Sequence, residues 1–492
     1  MSATLPEPSK QNPSPDSDPS SKFRDLDWQD FRDHLATADK EGHRRWLYPK
    51  KPSGKWYRWR TYSSWLLLAL LFAGPFIRIN GNPYFMFNIV ERKFSILGQL
   101  FWPQDNVIFA VAALLFITSI MIFTTAFGRL WCGWTCPQTL IMEMVFRKIE
   151  YAIEGDSAAQ RALDAAPLSG KKIAKKLTKH VIFFTLSWIV GNTLLAYIIG
   201  SEKLLDIITD DPRQHLVGLT FMTLFTLLFY GIFARFREQA CTFICPYGRF
   251  MSATLDENTM VVAYDHVRGE KRGPLQRDKS FEQRQAEGTG DCVNCHACVA
   301  VCPTGIDIRN GTQMECVHCT ACIDACDHIM DKVGRPRGLV RYASLNSIQH
   351  GKPFRITARM KLYLVVLTLL AGLLGFLVFT RPDAETILLR APGALYQQLE
   401  GGKIENLYTV KVLNKTTREM PIEFKLENVP GAVRVMSGAG FKVAKDNLAQ
   451  TSLLIVLDKK TLTGPTTKLQ VGVYSNGKHI KTVKTVFVGP RD

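Results

Sequence analysis

Five apolar runs constrain this 492-residue chain more than any other feature: near Tyr62 to Ile79, Val107 to Phe127, His180 to Gly200, His215 to Ala234 and Lys361 to Phe379. About 20 apolar residues in hydrocarbon must pair every backbone N–H and C=O internally, so each run is expected to be a transmembrane helix. The first run contains Gly74 and Pro75, residues that interrupt helices.

Flanking charge orients these spans. Seven Lys or Arg lie between His43 and Arg60, and nine between Ala126 and Lys179, among them Lys171, Lys172, Lys175, Lys176 and Lys179. Ser201 to Gln214 has only Lys203 and Arg213, against Glu202, Asp206, Asp210 and Asp211. Lys and Arg are retained on the cytoplasmic side, so the N-terminus and the long connections after spans two and four are expected inside. Everything after Phe379 is expected in the periplasm. The net charge of +17 (61 minus 44) then belongs to loops against anionic lipid, and no nucleic-acid partner is expected. The first twenty residues, rich in Pro and Ser, lack the apolar core of a secretory signal and read as a disordered cytoplasmic tail.

All twelve cysteines fall between Cys132 and Cys326, on the side assigned to the reducing compartment, and none follows Thr380. Such thiols point to metal ligation or redox chemistry rather than disulfides. Eight form "CVNCHACVAVCPTG" and "CVHCTACIDACDH", each spaced C-x2-C-x2-C-x3-C. A 4Fe-4S cubane needs four thiolates, and in two-cluster ferredoxins three come from one run and the fourth from the other. That rule assigns Cys292, Cys295, Cys298 and Cys326 to one cluster, and Cys316, Cys319, Cys322 and Cys302 to the second. Zinc is the competing reading of C-x2-C pairs, poorly matched by two repeated four-cysteine runs. The second run ends Cys326-Asp327 where the first ends Cys302-Pro303, a difference that bears on packing and solvent access. His296, His318 and His328 lie in or beside the runs and are expected to support the clusters or face solvent rather than to ligate.

Four cysteines remain. Cys132 and Cys136 in "GRLWCGWTCPQ" and Cys241 and Cys245 in "EQACTFICPYGRF" repeat C-x3-C-P after spans two and four. On a helix, i and i+4 share a face, and Pro137 and Pro246 are expected to end or kink it. Four thiolates converging there would suit Cu(I), zinc or an iron–sulfur centre; buried structural thiols are the bland alternative.

In their order, these two stretches, the paired ferredoxin runs and the following "RGLVRY" resemble the FixG/RdxA/CcoG family, membrane iron–sulfur accessory proteins of cbb3-type cytochrome c oxidase. The resemblance implies a role in maturing the oxidase, by reducing Cu(II) to Cu(I) for its haem–copper centre. It implies as partners the oxidase subunits or copper-handling assembly factors, with the C-x3-C-P thiols Cys132, Cys136, Cys241 and Cys245 as the redox site. The C-x3-C-P stretches alone also resemble quinol-linked membrane ferredoxins.

The charged stretch from Gly269 to Gly290 is read as a link to the clusters. Arg335, Arg337, Arg341, Lys352, Arg355, Arg359 and Lys361 are read as a run against lipid. Beyond the last span, "YTVKVLNKT", "MPIEFKLENV", "TSLLIVLDKK" and "LQVGVYSNGKHIKTVKTVFVG" alternate apolar and polar residues, with Asn476-Gly477 as a hairpin turn. An all-β immunoglobulin-like sandwich with a docking role is expected. The expected architecture is therefore a multi-pass protein of the bacterial inner membrane with five regions. These are a basic N-terminal region (1–61), four helices (62–234), a cytoplasmic α+β two-cluster ferredoxin domain behind a linker (235–360), a fifth helix (361–379) and a periplasmic sandwich (380–492). The expected function is electron transfer through two 4Fe-4S clusters, with copper as acceptor; a quinol-linked carrier and a non-catalytic scaffold are the alternatives. No dinucleotide-binding glycine motif identifies a donor.

Overall fold

The computed structural model describes residues 37, 41 and 43–490, apart from 80, 90–91, 249–253, 276–279, 394, 400, 417 and 437–439. The tail expected over residues 1–20 lies outside the described residues. Long helices follow the apolar runs: α1 (Lys55–Ala73), α2 (Asn106–Phe127), α3 (Gly170–Ile199), α4 (Leu216–Gly231) and α5 (Ala358–Phe379). Four helical stretches, Asn106–Phe127, Gly170–Ile199, Pro212–Phe236 and Ala358–Phe379, are long and apolar enough to cross a membrane. This is a multi-domain membrane protein.

The first expected span is displaced. α1 starts at Lys55 and carries Lys55, Arg58 and Arg60 in its first two turns, so less of its length is apolar. It stops at Ala73 because Pro75 disfavours helical geometry at the preceding residue and offers no N–H of its own. α3, by contrast, starts ten residues before the expected His180. Its lysine-rich start is stabilised by carboxylates: Lys176 pairs with Glu154 at 3.0 Å and Asp164 at 2.6 Å, and Lys179 with Glu154 at 2.7 Å.

The chain divides into two compact units, one of Met1–Leu71, Ser119–Gly191 and Thr220–Leu364, the other of Phe72–Thr118, Asn192–Leu219 and Val365–Asp492. All twelve cysteines belong to the first. There the stretch 269–290 is more than a link: it contains the helix Phe281–Ala286, capped by Ser280, and Arg284 is buried. Three residues of the basic run are taken up by ion pairs, Arg335 with Asp291, Arg337 with Asp331 and Arg341 with Asp265. Lys352, Arg355, Arg359 and Lys361 remain exposed.

The second unit contains the C-terminal strands β1 (Ala384–Arg390), β2 (Lys403–Asn414), β3 (Glu423–Leu426), β4 (Ala432–Val435), β5 (Leu448–Asp458), β6 (Thr466–Ser475) and β7 (Lys478–Val488). They form two antiparallel sheets, ordered β4-β5-β2-β1 and β3-β6-β7, with Gln397–Leu399 pairing on β2. Alternation along β2 and β5 buries Ile404, Tyr408, Val410, Leu453 and Ile455 in one core with Val471, Val473 and Phe487 of the other sheet. Asn476 and Gly477, both at positive φ, close the β6–β7 hairpin as the sequence implies.

A buried carboxylate organises the same unit. Asp105 accepts hydrogen bonds from Arg381 and Lys415, each at 2.7 Å, and from the Trp102 N–H at 3.2 Å. Burial alone would raise its carboxyl, but the Lys415 ammonium and Arg381 guanidinium outweigh that and hold it below the usual carboxylate range. Its stabilisation is therefore complete at neutral pH and is lost only as pH falls below the ordinary carboxylate value. Asp105→Asn leaves Arg381 without its carboxylate and Lys415 with Glu385 alone, at 2.9 Å, and is expected to cost about 3 kcal/mol, read as a lower unfolding temperature in detergent at pH 7 with iron content unchanged. An unchanged unfolding temperature would refute this account of Asp105.

Candidate functional site

The two cysteine runs fold alike. Asn294 and His296 in the first, and His318 and Thr320 at the corresponding positions of the second, are all left-handed. Non-glycine residues rarely accept this conformation, and its recurrence curls each loop so that its thiols face inward. A short helix follows each loop, Ala297–Ala300 and Ala321–Lys332. Beneath them Val261–Tyr264 pairs antiparallel with Val340–Ala343.

Each loop borders a small cavity. The first is lined by Cys292, Cys295, Cys298 and Cys326 with Tyr264, Val293 and Met330. Around the second stand Cys302, Cys316, Cys319 and Cys322, with Val262, Ile306 and Ile308, and Cys298 borders this cavity too. The last cysteine of each run thus stands at the other run's cavity. Cys295 is the exposed member of the eight; Cys292, Cys298, Cys316 and Cys319 are buried. Burial pushes the Cys319 thiol up to about 11 and Cys326 to about 12, and raises Cys298, Cys316 and Cys322. Backbone groups work the other way, those of Thr304, Gly305 and Ile306 at Cys302 and of His318 at Cys316 favouring the thiolate.

Among the described residues no three His, Cys, Asp or Glu side chains close on one point, as a lone metal ion requires. Thiols spread around an apolar cavity fit the four corners of an iron–sulfur cubane rather than one zinc. The histidines are otherwise engaged. His296 Nδ1 lies 2.9 Å from the Arg309 guanidinium, and His318 Nδ1 accepts the Arg129 N–H at 3.1 Å. Burial pulls His318 down to about 4, so it is neutral. His328 is exposed.

The C-x3-C-P stretches differ from the helical expectation. Cys132 lies in the one-turn helix Leu130–Trp134, but Cys136 (φ −61°, ψ 121°) is extended and Pro137 begins the next helix. Cys241 lies in the wide turn Ala240–Ile244, and Cys245 (φ −73°, ψ 112°) is again extended before Pro246. The reason is steric: proline drives its predecessor out of the helical region and is well suited to the first helical position. The prolines start helices here, and the pairs do not share a helix face. The structure nevertheless brings both pairs together. Burial lifts Cys132 to about 12 and Cys241 to about 11; Cys136, Cys241 and Cys245 each add to the rise at Cys132, and Arg129 opposes it.

This four-thiol group abuts the second cavity. Cys132 packs against Val301, Val317, Cys319 and Ala321. A Cβ on Gly133 would lie 2.3 Å from the Val317 carbonyl oxygen, so only glycine allows the approach. The end of α2 is capped by the same region: Thr259 Oγ1 donates to Thr125 O, the Met260 N–H to Ala126 O and Tyr342 Oη to Phe127 O. α1 completes the junction. Asp324, between Cys322 and Cys326, accepts the Trp56 and Tyr57 N–H groups at 3.1 and 2.8 Å, while Arg60 Nε donates to Gly133 O at 2.7 Å. Sequence reading missed Arg60, Arg129, Asp324 and Tyr264. "KWYRWR" reads equally well as an interfacial belt, and nothing in it singles out Arg60.

Comparison with known proteins agrees with this chemistry. Residues 236–345 match a family described as 4Fe-4S dicluster domain, 109–153 a 4Fe-4S binding domain, and 374–490 the IG-like fold at the C-terminus of FixG. The chain is 34% identical over 438 residues to the nitrogen fixation protein FixG of Rhizobium meliloti, covering 80% of this chain and 82% of that protein. It is 32% identical over 482 residues to protein RdxA of Cereibacter sphaeroides, covering 90% and 97%. A crystal structure of a FixG-related protein from Vibrio parahaemolyticus aligns at 22% identity and TM-score 0.18, over 22% of this chain and 95% of that one.

The close approach at Gly133 is testable. Gly133→Ala forces two backbones apart and is expected to cost about 1–3 kcal/mol, seen as a lower unfolding temperature. Gly231→Ala, whose Cβ meets nothing within 4 Å, serves as control and should be neutral or stabilising. Equal behaviour of the two variants would remove the packing argument.

Proposed function

This chain is an iron–sulfur electron-transfer protein of the FixG/RdxA family, and from that premise we propose that it reduces Cu(II) to Cu(I) at the four-thiol group. In this reading Cys292, Cys295, Cys298 and Cys326 hold one 4Fe-4S cluster, and Cys302, Cys316, Cys319 and Cys322 hold the second. When bound, each cluster carries one electron at a time, which matches a one-electron acceptor. The observation that carries the proposal is serial placement: Cys298 borders both cavities, and Cys132 packs against the Cys319 loop of the second. Exposed Cys295 gives a donor access to the first.

Copper is the substrate. Soft thiolates favour Cu(I) over harder cations. Delivery of Cu(I) to a cbb3-type oxidase under assembly is the use this reading assigns. We place the cysteine-bearing unit in the cytoplasm and the sandwich in the periplasm, with five crossings. The retention of Lys and Arg inside supports this, as does the division of all five long helices between the two units.

A second reading has one specific support: the 4Fe-4S binding domain matched over 109–153 contains Cys132 and Cys136. Metal content separates the two. Protein purified anaerobically should contain about eight irons and eight acid-labile sulfides per chain. About twelve irons, falling to about eight in Cys132→Ser/Cys136→Ser, would assign a third cluster, and zinc without sulfide would end both readings. Dithionite-reduced protein mixed with Cu(II) and a Cu(I)-specific chelator should form the coloured Cu(I) complex. Cys132→Ser/Cys136→Ser should slow it at least tenfold with about eight irons retained; an unchanged rate would favour a scaffold.

A further inference from the structure

Beside the second cavity stands a buried cation, Arg60, without a carboxylate partner among the described residues. Arg60 is 1% exposed, its Nε is used by Gly133 O, and its Nη2 is buried with no hydrogen-bond partner. An unpaired N–H of a charged group costs several kcal/mol in a dry interior, so the site is built for an acceptor that protein atoms do not supply. Contact sets its place: the Gly133 carbonyl that Arg60 holds belongs to the loop lying on the second cysteine run, where a Cβ on Gly133 would come within 2.3 Å of Val317 O, and Val317 and Cys319 line the second cavity. The buried carboxylate of Glu143 is engaged by Arg147 at 3.1 Å. Arg129, likewise buried, donates its backbone N–H to His318 of that run, while its guanidinium lies toward Gly248, where an added Cβ would meet Nη2 at 2.5 Å. Among the described residues neither Arg60 nor Arg129 has a carboxylate partner.

The first cavity is arranged differently. Its cation, Arg309, is neutralised by Asp307, with Nε–Oδ1 at 2.8 Å and Nη2–Oδ2 at 2.5 Å. The buried, neutral hydroxyl of Tyr264 lines the same cavity as Cys292. The two cysteine loops match in spacing and in left-handed backbone positions, and differ in the charge placed beside them.

We propose that Arg60 is the counter-charge of the centre held by Cys302, Cys316, Cys319 and Cys322, and raises its reduction potential above that of the first. Net charge and hydrogen bonds to sulfur are among the features that set these potentials, and a fixed cation favours the more negative, reduced state. Electrons then run from the side of exposed Cys295 toward Cys132. Arg60 is a positioning and tuning residue: it touches the Cys132–Cys136 loop through Gly133 O and acts on the second cysteine set by charge. This inference rests on the ligand assignment proposed above.

The test is a redox titration of the anaerobically purified full-length protein, followed by electron paramagnetic resonance, with iron and sulfide assayed in every sample. Wild type should show two separate midpoints. Arg60→Gln should lower the upper one by at least a tenfold change in its one-electron equilibrium constant, about 59 mV, and leave the lower unmoved. Arg60→Lys, which keeps the charge and loses the planar donor, should hold the upper midpoint near wild type. An unmoved upper midpoint in Arg60→Gln with full iron overturns the inference, as does an equal shift of both midpoints. If Arg60→Gln loses iron, Arg60→Lys decides: retained iron with an unmoved upper midpoint supports the charge role, and loss of iron or a lowered midpoint there assigns a structural role only. Wild-type protein lacking iron and sulfide would instead refute the underlying ligand assignment.

Discussion

The carbonyl end of α2 is the constraint on which the redox arrangement depends. A helix leaving a membrane has unpaired carbonyls in its last turn, and here Thr259, Met260 and Tyr342 of the cluster region supply the donors. Gly128, at positive φ, turns the chain beneath His318, and the next residue donates its N–H to that imidazole. Pairing these groups fixes the Cys132 loop against the second cysteine loop. Backbone hydrogen bonding out of the membrane and the placement of thiols are therefore one problem with one solution.

α1 contributes differently. Its N-terminal N–H groups end on Asp324, a carboxylate borrowed from the helix that carries Cys322 and Cys326, and its Arg60 reaches Gly133 one and a half turns later. One element thereby links the cysteine runs to the C-x3-C-P loop. The buried charge this requires is costly where it is unpaired, as it is at Arg60 Nη2.

The other unit has its own organising charge. Asp105 joins the start of α2 to Arg381 and Lys415 beside the sandwich, while the core between the sheets is made almost wholly of aliphatic side chains from alternating positions. None of the twelve cysteines lies here. The segregation fits a division of labour in which one unit handles electrons and the other presents a rigid β surface.

Much of this was legible in the sequence because it depends on local period and spacing. Twenty-residue apolar runs, alternation along β2 and β5, the Asn476-Gly477 turn and C-x2-C-x2-C-x3-C are short-range patterns whose physics is complete within a few residues. Pro137 and Pro246 were visible too, but whether a proline ends one helix or starts the next depends on the residue before it, and Cys136 and Cys245 became extended rather than helical. What only the tertiary structure decided was which distant residues share a cavity. Asp324 caps a helix 268 positions away, Arg60 belongs with Gly133, and Gly133 must lack a side chain because Val317 O approaches it. No local period encodes such contacts, since they are set by how separate elements satisfy one another's buried polar groups.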